Sequence, residues 1–329
     1  MAAPTEPTAD PATDALPDPL PVWRSLLYVP ANNRRFIDKA HARGADAVIL
    51  DLEDSVPGPE RDKARAMLKE SAASVARKGA DVVVRVNRPA AEAVRDLDAA
   101  VIPEVTALML AKCDDAAHVR ALAGKVAAHV RALAGKVAAL EAERGMKPGQ
   151  IRFVVMVESP KALFRAEEIA AAHPRAVAAV LGGEDFAAAA GMVPDPETLF
   201  LPKLLTMLAA RAAGIVPLGM IGTVADYQDL KVVRDIVRRS RKFGFEGASC
   251  IHPSVVPLLN EEMRPSADEV ARARRVVEAY RAAEAKGLGA IAVDGMMVDV
   301  PVAVRAEALL ARHAAIEARE ARAHWTSKA

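Results

Sequence analysis

The chain has 329 residues, 52% of them hydrophobic, and its 44 Lys and Arg face 43 Asp and Glu for a formal net charge of +1. That balance excludes a general nucleic-acid face, and no apolar run is long enough for a bilayer span, so a soluble, cytoplasmic protein with no membrane partner is expected. The two cysteines, Cys113 and Cys250, are far apart and form no Cys-x-x-Cys pair, which points to reduced thiols rather than a staple or a zinc site.

Residues 1–22 are rich in Pro, Ala and acid, with neither a basic nor an apolar leader segment, and read as a disordered tail. From Ser25 onward short β-rich runs alternate with helical patterns. The runs are SLLYV at 25–29, AVILD at 47–51, DVVVRV at 81–86, ALMLA at 107–111, RFVVMV at 152–157, AVAAVL at 176–181, IVPLGMI at 215–221 and GASCI at 247–251. Eight strands, nearly all followed by a helical segment, predict an α/β protein built as a (β/α)8 TIM barrel over 23–265. A doubly wound sheet is the alternative; it would normally hold fewer strands, and no dinucleotide-binding glycine fingerprint follows strand one.

After strand four, HVRALAGKVAA occurs at 118–128 and again, letter for letter, at 129–139. Eleven residues are close to three α-helical turns, so the duplication lengthens an outer helix while keeping its apolar face in phase. Beyond IHPS the pattern changes to a charged helix at 266–286, then GAIAVDGMMVDVP, then an Ala- and Arg-rich helix. Residues 266–329 are therefore a C-terminal helical extension, expected to pack outside the barrel or to cap a neighbouring subunit.

Polar groups cluster at the carboxyl ends of the predicted strands, the end from which this fold builds active sites. DLEDSV places Asp51, Glu53 and Asp54 after strand two, VRVN places Arg85 in strand three, VESP places Glu158 after strand five, and LGGEDF places Gly182, Gly183, Glu184 and Asp185 after strand six. Each acid could instead serve a following helix as a cap or first-turn charge, as Ser159-Pro160 and Glu184-Asp185 would. Four polar strand ends in register favour a site. His252 in IHPS reads as part of an X-Pro turn shaping a loop. No Ser-His-Asp or Cys-His arrangement and no Walker loop is present.

RSLLYVPANN, DLEDSV, VRVN, VESP, GGEDF, IHPS and DGMMVDVP, in this order, resemble the citrate lyase β-subunit-like family of the HpcH/HpaI aldolase superfamily, with its malyl-CoA and citramalyl-CoA lyases. The resemblance runs from about Trp23 to about Leu310. It implies Mg2+ as cofactor, bound by Glu158 and Asp185, with waters and substrate oxygens completing a small hard ion's shell. It implies that Arg85 stabilises negative charge on the reacting oxygen; a salt bridge from Arg85 to Asp51 or Glu53 is the structural alternative and is compatible with that role. The amides around Gly182, Gly183 and Glu184 would hold a substrate carboxylate. Asp51, Glu53 and Asp54 would stand behind the ion, ordering waters and Arg85.

Arg24 and Lys63 are weaker candidates for the CoA phosphates. Asp299 in DGMMVDVP matches the family's catalytic aspartate, contributed by an adjacent subunit, and apolar neighbours such as Met296 and Met297 would suit it to proton transfer; the competing reading is a cap ahead of Pro301. The implied assembly is a homo-oligomer, a trimer or hexamer. The implied reaction is cleavage of a short 3-hydroxyacyl-CoA to acetyl-CoA and a 2-oxo acid. The alternatives are a citrate lyase β-subunit acting on citryl-acyl carrier protein, a malyl-CoA thioesterase, and a non-catalytic acyl-CoA-binding barrel. The segments IGTVADYQDL and AKCDD depart from the family pattern and leave the acyl group open.

Overall fold

The computed structural model describes residues 20–113, 126–222 and 228–326. Most of the tail at 1–22 and most of the first copy of the duplicated segment lie outside the described residues; the second copy lies within helix α4 (Val126–Glu143).

Eight strands form one parallel sheet: β1 (Ser25–Pro30), β2 (Ala47–Asp51), β3 (Asp81–Val86), β4 (Ala107–Leu110), β5 (Arg152–Val157), β6 (Ala176–Leu181), β7 (Val216–Leu218) and β8 (Ala248–Cys250). Their spatial order is β7-β6-β5-β4-β3-β2-β1-β8, and a parallel bridge from Leu218 to Gly247 joins the two ends. The result is the expected (β/α)8 barrel. Pro217 has no N–H to give the last seam; there Gly219 N–H donates to the Gly247 carbonyl at 2.8 Å and Glu246 N–H to the Pro217 carbonyl at 3.0 Å.

Helices α1 (Arg34–Ala40), α2 (Arg61–Ala76), α3 (Ala90–Ala100) and α4 follow the first four strands. The short α5 (Pro160–Leu163) and α6 (Ala166–Ala170) follow β5; α7 (Gly183–Ala190) and α8 (Phe200–Ala212) follow β6; α9 (Leu230–Phe243) follows β7 and α10 (Val256–Glu262) follows β8. Ser159 caps α5 by accepting from the Ala162 N–H, with Pro160 at the first helical position, as the sequence anticipates.

Side chains along a strand alternate in direction, and here the alternation sorts the core into two layers. Leu27, Val29, Val48, Leu50, Val82 and Val84 face outward onto the helices. Leu26, Ile49, Val83, Met109, Val154 and Met156 fill the barrel. Two residues further along the inward rows come Tyr28, Asp51, Arg85, Ala111 and Glu158. The alternation that builds the apolar barrel thus also delivers three charged groups to its carboxyl end.

The extension comprises α11 (Ala267–Glu284), an antiparallel hairpin of β9 (Ile291–Val293) and β10 (Met296–Val298), and α12 (Val300–Thr326). Ser266 and Glu269 form a capping box on α11. The Asp294-Gly295 turn has both residues at positive φ, 50° and 75°, the geometry that a two-residue hairpin needs. The carboxyl half of α12 lies on the amino end of its own barrel: Arg319 pairs with Asp81 at 2.7 Å, and Arg312 with Glu246 at 3.0 Å.

Candidate active site

Tyr28, Asp51, Arg85, Glu158 and Gly182 line a cavity of about 860 Å³ at the carboxyl end of the barrel. The register of β2 and β3 puts Asp51 directly opposite Arg85. The guanidinium makes a two-pronged bond, Nε to Asp51 Oδ1 and Nη2 to Asp51 Oδ2, both 2.7 Å. Its Nη1 lies 3.0 Å from Glu53 and 3.2 Å from Asp54, and its Cζ is 5.2 Å from the centroid of the Tyr28 ring. Burial alone would raise the Asp51 carboxyl, but the hydrogen bonds and charge of Arg85 hold it below its ordinary value. The salt bridge weighed against a catalytic role for Arg85 is therefore present, and it fixes the guanidinium at the cavity wall.

Glu158 follows β5 and is 3% exposed. Its Oε2 accepts from the Lys112 backbone N–H, while its Oε1 is buried with no hydrogen-bond partner. Burial pushes its carboxyl up to about 8; the Lys112 amide pulls the other way, and the nearby Asp185 and Glu53 charges add to the rise. Gly182 makes room for it: a Cβ there would lie 2.5 Å from Glu158 Oε1. Gly182 is also the N-cap of α7, so the N–H groups of Gly183, Glu184 and Asp185 are first-turn donors without helical partners.

Lys112 has a left-handed backbone, φ 49°, unusual for a residue with a Cβ. That conformation gives its amide to Glu158 while its ammonium lies 2.7 Å from Glu53, 3.4 Å from Asp54 and 3.6 Å from Asp185. Lys203 of α8 is 8% exposed, lines the same cavity and donates to the Gly222 carbonyl. Burial lowers its ammonium to about 8. His252 caps the turn after β8, accepting from the Ser254 N–H, and also lines the cavity.

Five carboxylates (Asp51, Glu53, Asp54, Glu158, Asp185) stand around two cations (Arg85, Lys112). Among the described residues no cluster of three or more metal-ligating side chains is found. An acid-rich site with a partnerless buried carboxylate oxygen fits Mg2+, which binds through one or two carboxylates and keeps other positions for water and substrate. Glu158 and Asp185 would hold it.

The structure does not bring every candidate together. Arg24 precedes β1 and so sits at the opposite, amino end of the barrel, buried against Asp46 at 2.8 Å and Glu320 at 2.7 Å. Its role is to tie α12 to the barrel base, which removes it from the substrate-binding set. Lys63 is exposed on α2 beside Glu60 and does not line the cavity. Asp299 is also outside the cavity of its own chain, whose wall is formed by residues from 27 to 253. Its Oδ1 accepts from the Val302 N–H at 3.4 Å, so it caps α12. Its neighbours Met296, Met297 and Val300 are more than half exposed.

Tyr28, Lys112 and Lys203 join the site without having been singled out in the sequence. Tyr28 shares the inward row of β1, and Lys112 follows β4 at the same end as the acids. Lys203 lies on the buried face of α8 with Pro202, Thr206, Met207 and Ala210, where a charged residue is a signal in itself.

The family model described as HpcH/HpaI aldolase/citrate lyase matches residues 24–253, and the chain belongs to that family. It is 33% identical over 295 residues to the citrate lyase subunit beta of Escherichia coli, covering 88% of this chain and 92% of that protein. It is 32% identical over 299 residues to a (3S)-malyl-CoA thioesterase of Cereibacter sphaeroides, covering 90% and 96%. Among solved structures, CitE from Mycobacterium tuberculosis in complex with magnesium, acetoacetate and coenzyme A matches with a TM-score of 0.64 at 30% identity, covering 88% of this chain and 97% of that one. No described helix is long and apolar enough to cross a membrane.

Proposed function

We propose that the chain is a Mg2+-dependent carbon–carbon lyase, an oxo-acid-lyase that cleaves a short 3-hydroxyacyl-CoA of the citramalyl-CoA or malyl-CoA type to acetyl-CoA and a 2-oxo acid. The observation that carries this reading is Glu158, a buried carboxylate with one partnerless oxygen, facing the same cavity as a guanidinium locked by Asp51. Magnesium, when bound there, would polarise the substrate's carbon–oxygen bond as a Lewis acid.

The chain's own residues do the remaining work. Arg85 has five N–H donors, three of which are given to Asp51 and Asp54, so it keeps donors for an oxygen on which negative charge develops. The free amides of residues 183–185 orient the carboxylate of the 2-oxo-acid half. Lys39 and Arg43, exposed at the cavity beside Phe36, are suited to the phosphates of CoA, the role that Arg24 cannot fill. As the carbon–carbon bond breaks, the hydroxyl gives its proton to water in the cavity and its oxygen becomes the keto oxygen, while the electron pair passes to the acetyl carbon, to which Asp299, in its protonated form, gives a proton.

For Asp299 to act it must come from a neighbouring copy, so this reading requires a homo-oligomer, read here as a trimer or hexamer, capped by segment 266–329. The exposed Met296, Met297 and Val300 would be covered in such a contact. Cys113 and Cys250 are buried and not joined in a disulfide, in keeping with a cytoplasmic setting.

The test is a coupled assay of the purified protein with Mg2+ over malyl-, methylmalyl-, citramalyl- and citryl-thioesters. Acetyl-CoA plus a 2-oxo acid is the expected outcome, and a wholly negative panel would refute the reading in favour of a binding barrel. Mixing an Asp299→Ala with a Glu158→Ala protein should restore turnover that neither has alone. The thioesterase relative supports a second reading, in which water captures the thioester and free malate plus CoA accumulate.

A further inference from the structure

Buried cations elsewhere in this protein are matched by buried acids. Arg24 is held by Asp46, Arg85 by Asp51, and Arg175 by both oxygens of Glu141 at 2.7 and 2.6 Å. Among the described residues, Lys203 is the exception at the cavity wall. Its ammonium can give three hydrogen bonds, yet its one described contact is the neutral Gly222 carbonyl. The charge acting on it is that of Glu184, an exposed residue that makes no ion pair with it. A buried ammonium without a counter-ion is costly to keep.

Its position shows what could complete it. A Cβ on Gly182 would meet Glu158, and a Cβ on Gly183 would come 3.9 Å from Lys203 Cε. The two adjacent glycines thus lie beside the Glu158 carboxyl and, next to Leu199 Cδ1 at 3.0 Å, beside the Lys203 methylene that carries its ammonium, at the point where α7 opens with free N–H groups. All four residues line the one cavity.

We propose that Lys203 is a specificity-determining residue: its ammonium, together with the first-turn amides of α7, seats a carboxylate of the 2-oxo-acid half of the substrate. This rests on the lyase reading for the identity of the anion. The rival role is a strut that pins the loop at Gly222 to α8.

Calorimetric titration of the full-length protein, saturated with Mg2+, with pyruvate, glyoxylate and oxaloacetate separates the two. Lys203→Met should weaken oxo-acid binding by about ten- to a hundredfold, the effect of losing a charge-assisted hydrogen bond, and leave acetyl-CoA binding unchanged. Lys203→Arg, which restores the charge, should recover part of the loss. The Tm of Lys203→Met should hold or rise, because an apolar side chain replaces a buried unmatched charge. Unchanged oxo-acid affinity in Lys203→Met overturns the proposal, as does joint weakening of oxo acid and acetyl-CoA with a lowered Tm, which marks a strut. A wild type that binds none of the three oxo acids overturns it as well. A wild type that cleaves no thioester, but whose pyruvate binding depends on Lys203, would sustain this inference and sink the lyase reading alone.

Discussion

Magnesium affinity should climb with pH until the Glu158 carboxyl is ionised, and then level off. Burial pushes that carboxyl up to about 8, from an ordinary value of 4.5. At pH 6 it is then about 1% ionised and at pH 8 about half, so affinity should rise about fiftyfold, or about 2 kcal/mol, over that interval. Each ion bound at pH 6 should expel about one proton. Isothermal titration at pH 6, 7, 8 and 9, in two buffers of different ionisation enthalpy, reads both quantities. The same shift sets the stability of the ion-free protein. The unfolded chain loses this proton near pH 4.5 and the folded chain near pH 8, so stability falls as pH rises between those values. Glu158→Gln, which never ionises, should remove that fall and also abolish magnesium binding. A flat affinity from pH 6 to 9, or normal magnesium binding by Glu158→Gln, would refute the reasoning.

Gly182→Ala drives a methyl group into Glu158; overpacking of about 1–3 kcal/mol is expected, seen as a lowered Tm with weakened magnesium binding at unchanged far-UV circular dichroism. Arg85→Met leaves Asp51 buried without its partner and should cost about 3–5 kcal/mol in urea unfolding. Arg85→Lys keeps a charge but loses the two-pronged bond, so turnover should drop about a hundredfold or more with a smaller stability loss. Gly247→Ala would place a Cβ 1.7 Å from the Trp23 carbonyl oxygen, prising β8 from β1; about 3 kcal/mol or more should be lost in the same unfolding assay.

The sequence by itself determined the strands and the end of the barrel at which chemistry gathers. Apolar runs with period two, spaced by helical segments, specify a parallel barrel, and the same period carries Asp51, Arg85 and Glu158 inward wherever the run ends in a charge. β2, β3, β5 and β6 occur at the residues expected from sequence, whereas β7 and β8 are shorter because their ends belong to loops and to the closing seam. The β9–β10 hairpin was not anticipated, although its Asp294-Gly295 dipeptide favours the turn it forms.

Tertiary structure decided which distant groups meet. Arg24 looks like an available cation in sequence, but strand direction sends it to the barrel base, where Asp46 and α12 consume it. Lys112 looks like a surface lysine until the loop after β4 turns it towards the acids, and the docking of α8 carries Lys203 to the cavity wall beside the Gly222 carbonyl. Asp299 caps its own helix and is absent from its own cavity, so the role proposed for it requires a second copy. The physical reason is the same in each case. Side-chain alternation is local and can be read along the chain, whereas sheet closure, helix docking and subunit contact join residues far apart in sequence, and only those contacts fix where each charge finds its partner.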